Sequence, residues 1–468
     1  MEDNIQSCSA ILNVVSENKD INSIVKEHER RSSLSNSNYT FDNSMVQSPS
    51  LESFSTIPDS EIISDLNSDD VDLCVKVDNP QKYLDTLETY ITFRITTKAT
   101  RSDFLENEYV VRRRYSDFAW LRQKLVECHP FCIIPPLPGK HSLIGQLDRY
   151  SKEFILSRTK LLHIFMSRVT GHEILNSNEH YKMFITANQM DFSTHRKHNS
   201  PKSNPTVKLY PFNNSNPSRE PSHLVIRNQQ LEFEKTKDYL DVLSDKLMAV
   251  EKISSRINKE RHDYVTKLNE LYPAFAAWAT IEPQIVGLLQ NISTATEKNA
   301  WALGSMISNY GKSMADPIKE FLLYIDVVKE ALQRREICQQ NYEESFQELI
   351  KKRTEKDQLL ANHYSQKAGA FSVWKQPTSD EKLEKLGAHI PQLVKKVESH
   401  QDVLECANES LKSDLQKWNI EKQHCLKKIL LDFANKQIEY YEKTVSTWEN
   451  VTNELTTQNS RKTISPSK

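Results

Sequence analysis

Glycine is scarce: eight residues in a chain of 468. So few left-handed or tight-turn positions argue against a loop-rich fold and for long helices. Long apolar runs are also missing. The longest mostly apolar stretch, "YPAFAAWATI" at Tyr272–Ile281, is about half of the roughly 20 residues a spanning helix needs. Nothing at the N-terminus resembles a cleavable signal peptide, so any membrane role is expected to be peripheral. Cysteine is sparse and odd in number, seven at positions 8, 74, 128, 132, 338, 406 and 425. That argues against a disulfide framework and for a reducing compartment, the cytoplasm fitting best. Cys128 and Cys132 with His129 between them could be half a metal site, but no second Cys/His pair follows at zinc spacing. A structural role is expected for them, and no metal or cofactor.

Catalytic signatures are missing as well. "GSMISNYGKS", Gly304 to Ser313, has six residues between its glycines instead of the four of a phosphate-binding loop, and lies in a helical pattern with no preceding strand. There is no HExxH, no nucleophile elbow and no CxxC pair, and the fourteen histidines are scattered. The expectation is a non-enzymatic protein without catalytic residues and without a nucleic-acid partner.

What the chain does have is unevenly distributed. The net charge of −2 conceals 14 acidic against 4 basic side chains in residues 1–75, and 17 basic against 12 acidic in 76–190. Residues 1–70 are rich in Ser, Asn and Asp without an apolar period and are expected to be disordered. From Val71, "DLCVKV", "YLDTLETYITFRITTK" and "EYVVRRRY" alternate β-branched and aromatic residues, separated by "DNPQ" and "SDFLEN". This predicts a three-stranded antiparallel sheet. "SDFAWLRQKLVEC" then reads as a helix with Ser116 at its N-cap and Asp117 in its first turn. "IIPPLPGK" reads as a polyproline-like loop, and "SKEFILSRTKLLHIFMSRV" as an amphipathic helix.

Residues 191–223 are polar with five prolines and predict a linker. Beyond them the pattern is helical. A first helix is expected from Glu232 to Leu271, ending at "YP". A second starts near Glu282 and is kinked or restarted at Pro317. A third begins near Pro391, after a break over "AGAFSVWKQPTSDEKLEKLG". Its apolar positions 390, 393, 397, 404, 407, 411, 415 and 418 are heptad-like, with His400 in the skipped place and a break of phase at Leu411–Leu415. Trp278, Trp301, Trp418, Tyr440, Tyr441 and Trp448 exceed what one thin bundle covers, which favours a dimer. For any single one of them, ordinary core is the alternative.

One short stretch concentrates positive charge: "RRRYSDF", Arg112 to Phe118. Strand alternation sends Arg112 and Arg114 to one face and Arg113 to the other. Arg114 is the last of the three before the helix. A guanidinium beside a helix N-terminus can hold a phosphate through forked charged donors and free amides, and Tyr115 offers a ring face to a ligand. On this stretch alone, a solubilising edge-strand cluster explains the arginines equally well.

Three elements in order shift that balance. "RRRYSDF", then "PPLPGK" with Lys140, then Arg158 in "EFILSRTKLL" resemble the phox-homology (PX) domain of phosphoinositide-binding proteins over about residues 71–188. The resemblance implies that Arg114 takes the 3-phosphate, Tyr115 packs on the inositol ring and Ser116 lies beside that phosphate. Lys140 would meet the 1-phosphate and Arg158 the ring hydroxyls. It also implies that Ile133, Ile134 and Leu137 dip into the bilayer interface. With the helical half, the chain resembles a sorting nexin of the PX-BAR type, most like the branch of sorting nexins four, seven and thirty. The implied fold is an α+β PX domain, a three-stranded antiparallel sheet plus helices, followed by an all-α, elongated three-helix BAR domain. The expected division is 1–70 disordered, 71–190 PX, 191–223 linker, 224–457 BAR and 458–468 disordered tail.

The function implied is recognition of phosphatidylinositol 3-phosphate on the cytosolic face of early endosomes. With it come homodimers or heterodimers with a related nexin, curvature sensing or stabilisation in sorting and recycling, and support of autophagy. At the helix tip, Lys351, Lys352 and Arg353 are candidates for attraction to anionic lipid, and Phe371 and Trp374 for interfacial anchors. A solvated helix end and a local packing cluster are the alternatives there. An adaptor scaffold without curvature activity and a cytoskeletal coiled coil are the alternatives for the whole.

Overall fold

The computed structural model describes residues 72–84, 89–139, 151–199, 223–368 and 377–462. Expectations for 1–70, for the acidic N-terminal charge and for Lys140, Phe371 and Trp374 fall outside them. The alternating runs form strands β1 (Leu73–Leu84), β2 (Thr89–Ala99) and β3 (Glu108–Arg114). They make one antiparallel sheet in the order β1-β2-β3. "DNPQ" does not separate two strands. β1 runs through it with a register shift between Asp78 and Gln81, absorbed where Asn79 takes a φ of 42°, a left-handed conformation that Asn tolerates better than most residues.

One sheet face carries Val75, Val77, Phe93, Ile95 and Val111, all buried. Against it pack helices α1 (Tyr115–Cys128), α2 (Lys152–Thr170), α3 (Glu179–Thr186) and α4 (Gln189–His198). Phe118, Leu121, Phe165 and Phe184 close the core. Helix α4 corrects the expected linker. Phe192 is 1% exposed in this core and stacks edge-on against Trp120 and Phe184, so the chain leaves the domain only after Asn199.

His163 sits in the same core, where its Nδ1 accepts the Val77 N–H at 3.3 Å. Burial holds its pKa below the usual 6.5, as it does for His129 and His180. Above pH 6.5 these rings are neutral whether the chain is folded or not. As the pH falls from there towards the lowered folded-state values, the unfolded chain takes up protons that the folded one resists, and stability is lost. The melting temperature is therefore expected to drop between about pH 7 and pH 5.5, and His163→Gln to flatten part of that slope.

The helical half holds α5 (His223–Ala279), α6 (Val286–Tyr310), a five-residue π-helical turn (Gly311–Ala315), α7 (Asp316–Ala368) and α8 (Pro377–Lys462). α5 continues through Pro273 and α8 through Pro391, where the sequence suggested ends. Both prolines lie on exposed faces, as do Asn269 and Gly387 four residues earlier. Water can take the carbonyls that lose their partner, which lowers the cost of proline. α8 thus starts fourteen residues before Pro391 and runs five past 457; its 86 residues span roughly 130 Å at 1.5 Å each. Pro317 does mark a discontinuity. The π turn precedes it, with the Asp316 N–H reaching back to Gly311 O.

The stripe on α8 is buried as its spacing predicts: Leu393, Val397, Leu404, Ala407, Leu411, Leu415 and Trp418. His400 fills its place by facing Asn341 O and Ser345 Oγ. Trp418 is core, stacked on Phe321. Trp301 is 70% exposed, and Trp278, Tyr441 and Trp448 are exposed as well.

Candidate functional site

Strand parity decides the fate of the three arginines. Arg113 follows Val111 onto the core face and is 1% exposed. Its Nε donates to Phe184 O at 3.0 Å and its Nη2 to Ala187 O at 2.5 Å, while its guanidinium lies 4.2 Å from the Phe192 ring centre. Burial lowers its pKa to about 10, so it stays charged at neutral pH. Arg112 is spent on Thr92 Oγ1 and Asn79 O.

Arg114 differs from both. Its guanidinium lies 3.4 Å from the Tyr90 ring centre, and among the described residues no carboxylate pairs with it. It ends β3 and serves as N-cap of α1, so Ser116 is not the cap but an exposed first-turn residue. The reason is that no loop separates strand from helix, and Asp117 Oδ2 accepts the Arg114 N–H at 2.8 Å. Asp117 Oδ1 in turn takes Arg196 of α4 at 2.6 Å.

Arg114, Tyr115, Ser116 and Arg158 meet in a pocket of about 220 Å3, with Tyr90 and Phe154 in its walls. The Tyr115 hydroxyl donates to Pro138 O at 2.5 Å, and burial raises its pKa. The Arg158 guanidinium lies 4.5 Å from the Tyr115 ring centre and 4.4 Å from that of Phe154, and its Nη2 donates to Gly139 O at 3.2 Å. Stacking on Tyr90 holds the Arg114 guanidinium without neutralising it. The pocket therefore offers two oriented guanidiniums, a tyrosine face and the amino end of a 14-residue helix: donors for an anion that also has an apolar or ring face. Tyr90 and Phe154 were not singled out from the sequence. Tyr90 shares a strand face with Thr92, opposite Arg114, and Phe154 precedes Arg158 by one helical turn.

The proline loop between α1 and α2 does not present Ile133 and Ile134 to a bilayer. Ile133 is 4% exposed, packed among Phe321, Leu411 and Trp418 of the long helices, and Ile134 is 1% exposed in the core of the sheet domain. Leu137 is half-buried against that core. An apolar side chain leaves water for whichever apolar partner is nearest, and here it is protein. On α7, Lys351 and Arg353 are exposed, while Lys352 pairs with Glu355 at 2.9 Å.

Polar contacts tie the sheet domain to the long helices. Arg168 is buried between Glu320 and Glu421, Arg122 reaches Glu330 at 3.1 Å, and Lys417 pairs with Glu173 at 3.2 Å. Cys132, His172 and Asp414 bring three possible metal ligands within 4.8 Å of one another. His172 Nδ1, however, accepts from the N–H groups of Ile174 and Leu175. Its proton therefore sits on Nε2, which donates to Asp414 Oδ1 at 3.0 Å and has no lone pair for an ion. The Cys132 thiol is buried, its pKa pushed up to about 12, and His129 Nε2 faces the Asn178 amide at 3.0 Å. These groups are accounted for as structure. The 304–313 stretch lies within helix and π turn, without the strand a phosphate loop requires.

Residues 102–188 match the PX domain family, and residues 226–454 the family described as Vps5 C terminal like. Sorting nexin-30 of Mus musculus is 32% identical over 391 residues, which cover 84% of this chain and 80% of that protein. Sorting nexin-7 of Macaca fascicularis is 31% identical over 381 residues, covering 81% and 87%. Among solved structures, "The cryo-EM structure of the SNX-BAR Mvp1 tetramer" matches with a TM-score of 0.60 at 16% identity, over 81% of this chain and 99% of that one. At that identity the likeness concerns the fold.

Proposed function

The chain belongs to the sorting nexins of the PX-BAR type, and from that membership we propose that it binds phosphatidylinositol 3-phosphate on the cytosolic face of early endosomes. It acts there as a dimer in sorting, recycling and autophagy-related transport. The Arg114 guanidinium carries this assignment: stacked on Tyr90, given no carboxylate among the described residues, and set where α1 begins. It takes the 3-phosphate with the first amides of α1, Tyr115 faces the inositol ring and Ser116 lies beside the phosphate. Arg158 meets the ring hydroxyls and Lys140 the 1-phosphate.

The exposed Trp278, Trp301, Ile438, Tyr441, Val445 and Trp448 are apolar area that a second copy or a related nexin would cover. Two lipid sites on one body compensate for weak ones. For a single-site Kd of about 10 µM, pairing adds roughly 10² to 10⁴ in avidity. Lys351 and Arg353 add attraction to anionic lipid, of about 1 kcal/mol each near the surface, and Phe371 and Trp374 serve as interfacial anchors. Flotation with vesicles across a phosphoinositide series, at narrow and wide diameters, tests this. Capture is expected on 3-phosphate vesicles first, and more on narrow ones. Equal capture across the series defeats the lipid assignment, and indifference to diameter leaves a recruited scaffold without curvature activity.

A further inference from the structure

We propose that Arg334 and Asp414, on the long helices, are positioning residues for the headgroup pocket and act on it through the proline loop. This rests on the reading of that pocket as a phosphoinositide site. The loop over 129–139 has two ends with different attachments. At its root, Arg334 Nε donates to Pro130 O at 2.6 Å and Nη2 to Cys132 O at 3.3 Å. Asp414 Oδ2 accepts the Ile133 N–H at 2.8 Å, and the Ile133 side chain is sunk among α7 and α8. At its far end, Pro138 O fixes the Tyr115 hydroxyl and Gly139 O the Arg158 guanidinium. Midway, Arg122 joins Pro135 O at 3.1 Å to Glu330 of α7 at the same distance.

Between the ends the backbone is stiff. Prolines at 130, 135, 136 and 138 lock φ, and an extended polyproline run advances roughly 3.1 Å per residue with little give. A shift at the root is therefore passed to the two carbonyls that orient Tyr115 and Arg158. The helical half thus supplies part of the pocket's preorganisation, and headgroup affinity includes what the docking of the two halves contributes.

The test uses the full chain and two probes: soluble inositol 1,3-bisphosphate by calorimetric titration, and vesicles carrying phosphatidylinositol 3-phosphate. Arg334→Gln is expected to weaken the soluble headgroup about five- to tenfold, and Arg334→Lys, which keeps a charged donor for Pro130 O, to recover part of the loss. Asp414→Asn acts in the same direction, and the double variant is less than additive because both work through one loop. Lys417→Ala breaks a more exposed contact between the halves, with Glu173, that does not itself hold a loop carbonyl or amide, and should leave headgroup affinity at the wild-type value. If Arg334→Gln lowers vesicle capture but not soluble headgroup affinity, the contact serves docking only and the proposal is overturned. Equal weakening by Lys417→Ala overturns it too. If wild type and Arg114→Ala take up the headgroup alike, the pocket assignment itself fails and the inference with it.

Discussion

Arg114→Gln is expected to reduce capture by 3-phosphate vesicles to the level of vesicles lacking that lipid, while the melting temperature stays near the wild-type value. The side chain is half-buried and ion-paired to nothing among the described residues. Folding loses only its contact with Tyr90, worth about 0.5–1 kcal/mol for an exposed cation–π pair. Binding loses a forked, charged donor. Each hydrogen bond to a charged group contributes about 1.5–3 kcal/mol, so losing both bonds of the fork weakens the complex by roughly 10² to 10⁴, at about 1.4 kcal/mol per decade. Arg114→Lys keeps the charge but not the fork and should recover little. Flotation beside a thermal melt of the same sample measures both quantities; a falling melting temperature in step with binding would make Arg114 a structural residue.

The neighbouring position gives the opposite pattern. Arg113→Met removes a buried guanidinium whose acceptors, Phe184 O and Ala187 O, are at the carboxyl end of α3 (Glu179–Thr186). Those carbonyls have no intrahelical partner and sit at the negative end of the helix dipole. Methionine fills the space between Phe184 and Phe192 but leaves the carbonyls buried and unpaired, and a loss of roughly 1–3 kcal/mol per carbonyl is expected. Hydrogen exchange should quicken in β3 and α3 while the stripe of α8 keeps its protection. Uniform loss of protection over both halves would mean that they unfold as one unit. Adjacent arginines are thus expected to separate: one substitution should cost binding, the other the domain.

The opposite facing of Arg113 and Arg114 was legible in the sequence, because parity along a strand requires no knowledge of partners. The same holds for the α8 stripe, where spacing alone marks Leu393 to Trp418 and even the place of His400. The pocket was legible in its principal residues but not in Tyr90 or Phe154, whose contribution depends on what they face. Ile133 shows why some of the rest was hidden: apolarity says that a residue leaves water, not whether a lipid or a helix receives it. Phe192 was missed because a lone apolar residue in a polar stretch has no period to reveal it. Pro273 and Pro391 misled because their cost depends on exposure, which the sequence does not state.

The π turn at Gly311–Ala315 has a geometrical consequence. Tyr310, Met314 and Ile318 share one apolar cluster and Met306 is buried one turn earlier, although they are spaced by four three times in succession, a run that an α-helix at 100° per residue would carry off its seam. The wider turn takes up the surplus, and a buried stripe resumes on α7 at Phe321, Ile325 and Val328. It works as a phase corrector. Because α7 also carries Glu320, Tyr324, Glu330 and Arg334, which meet the PX domain or its partners, the azimuth at which that domain is mounted depends on five residues lodged among the long helices.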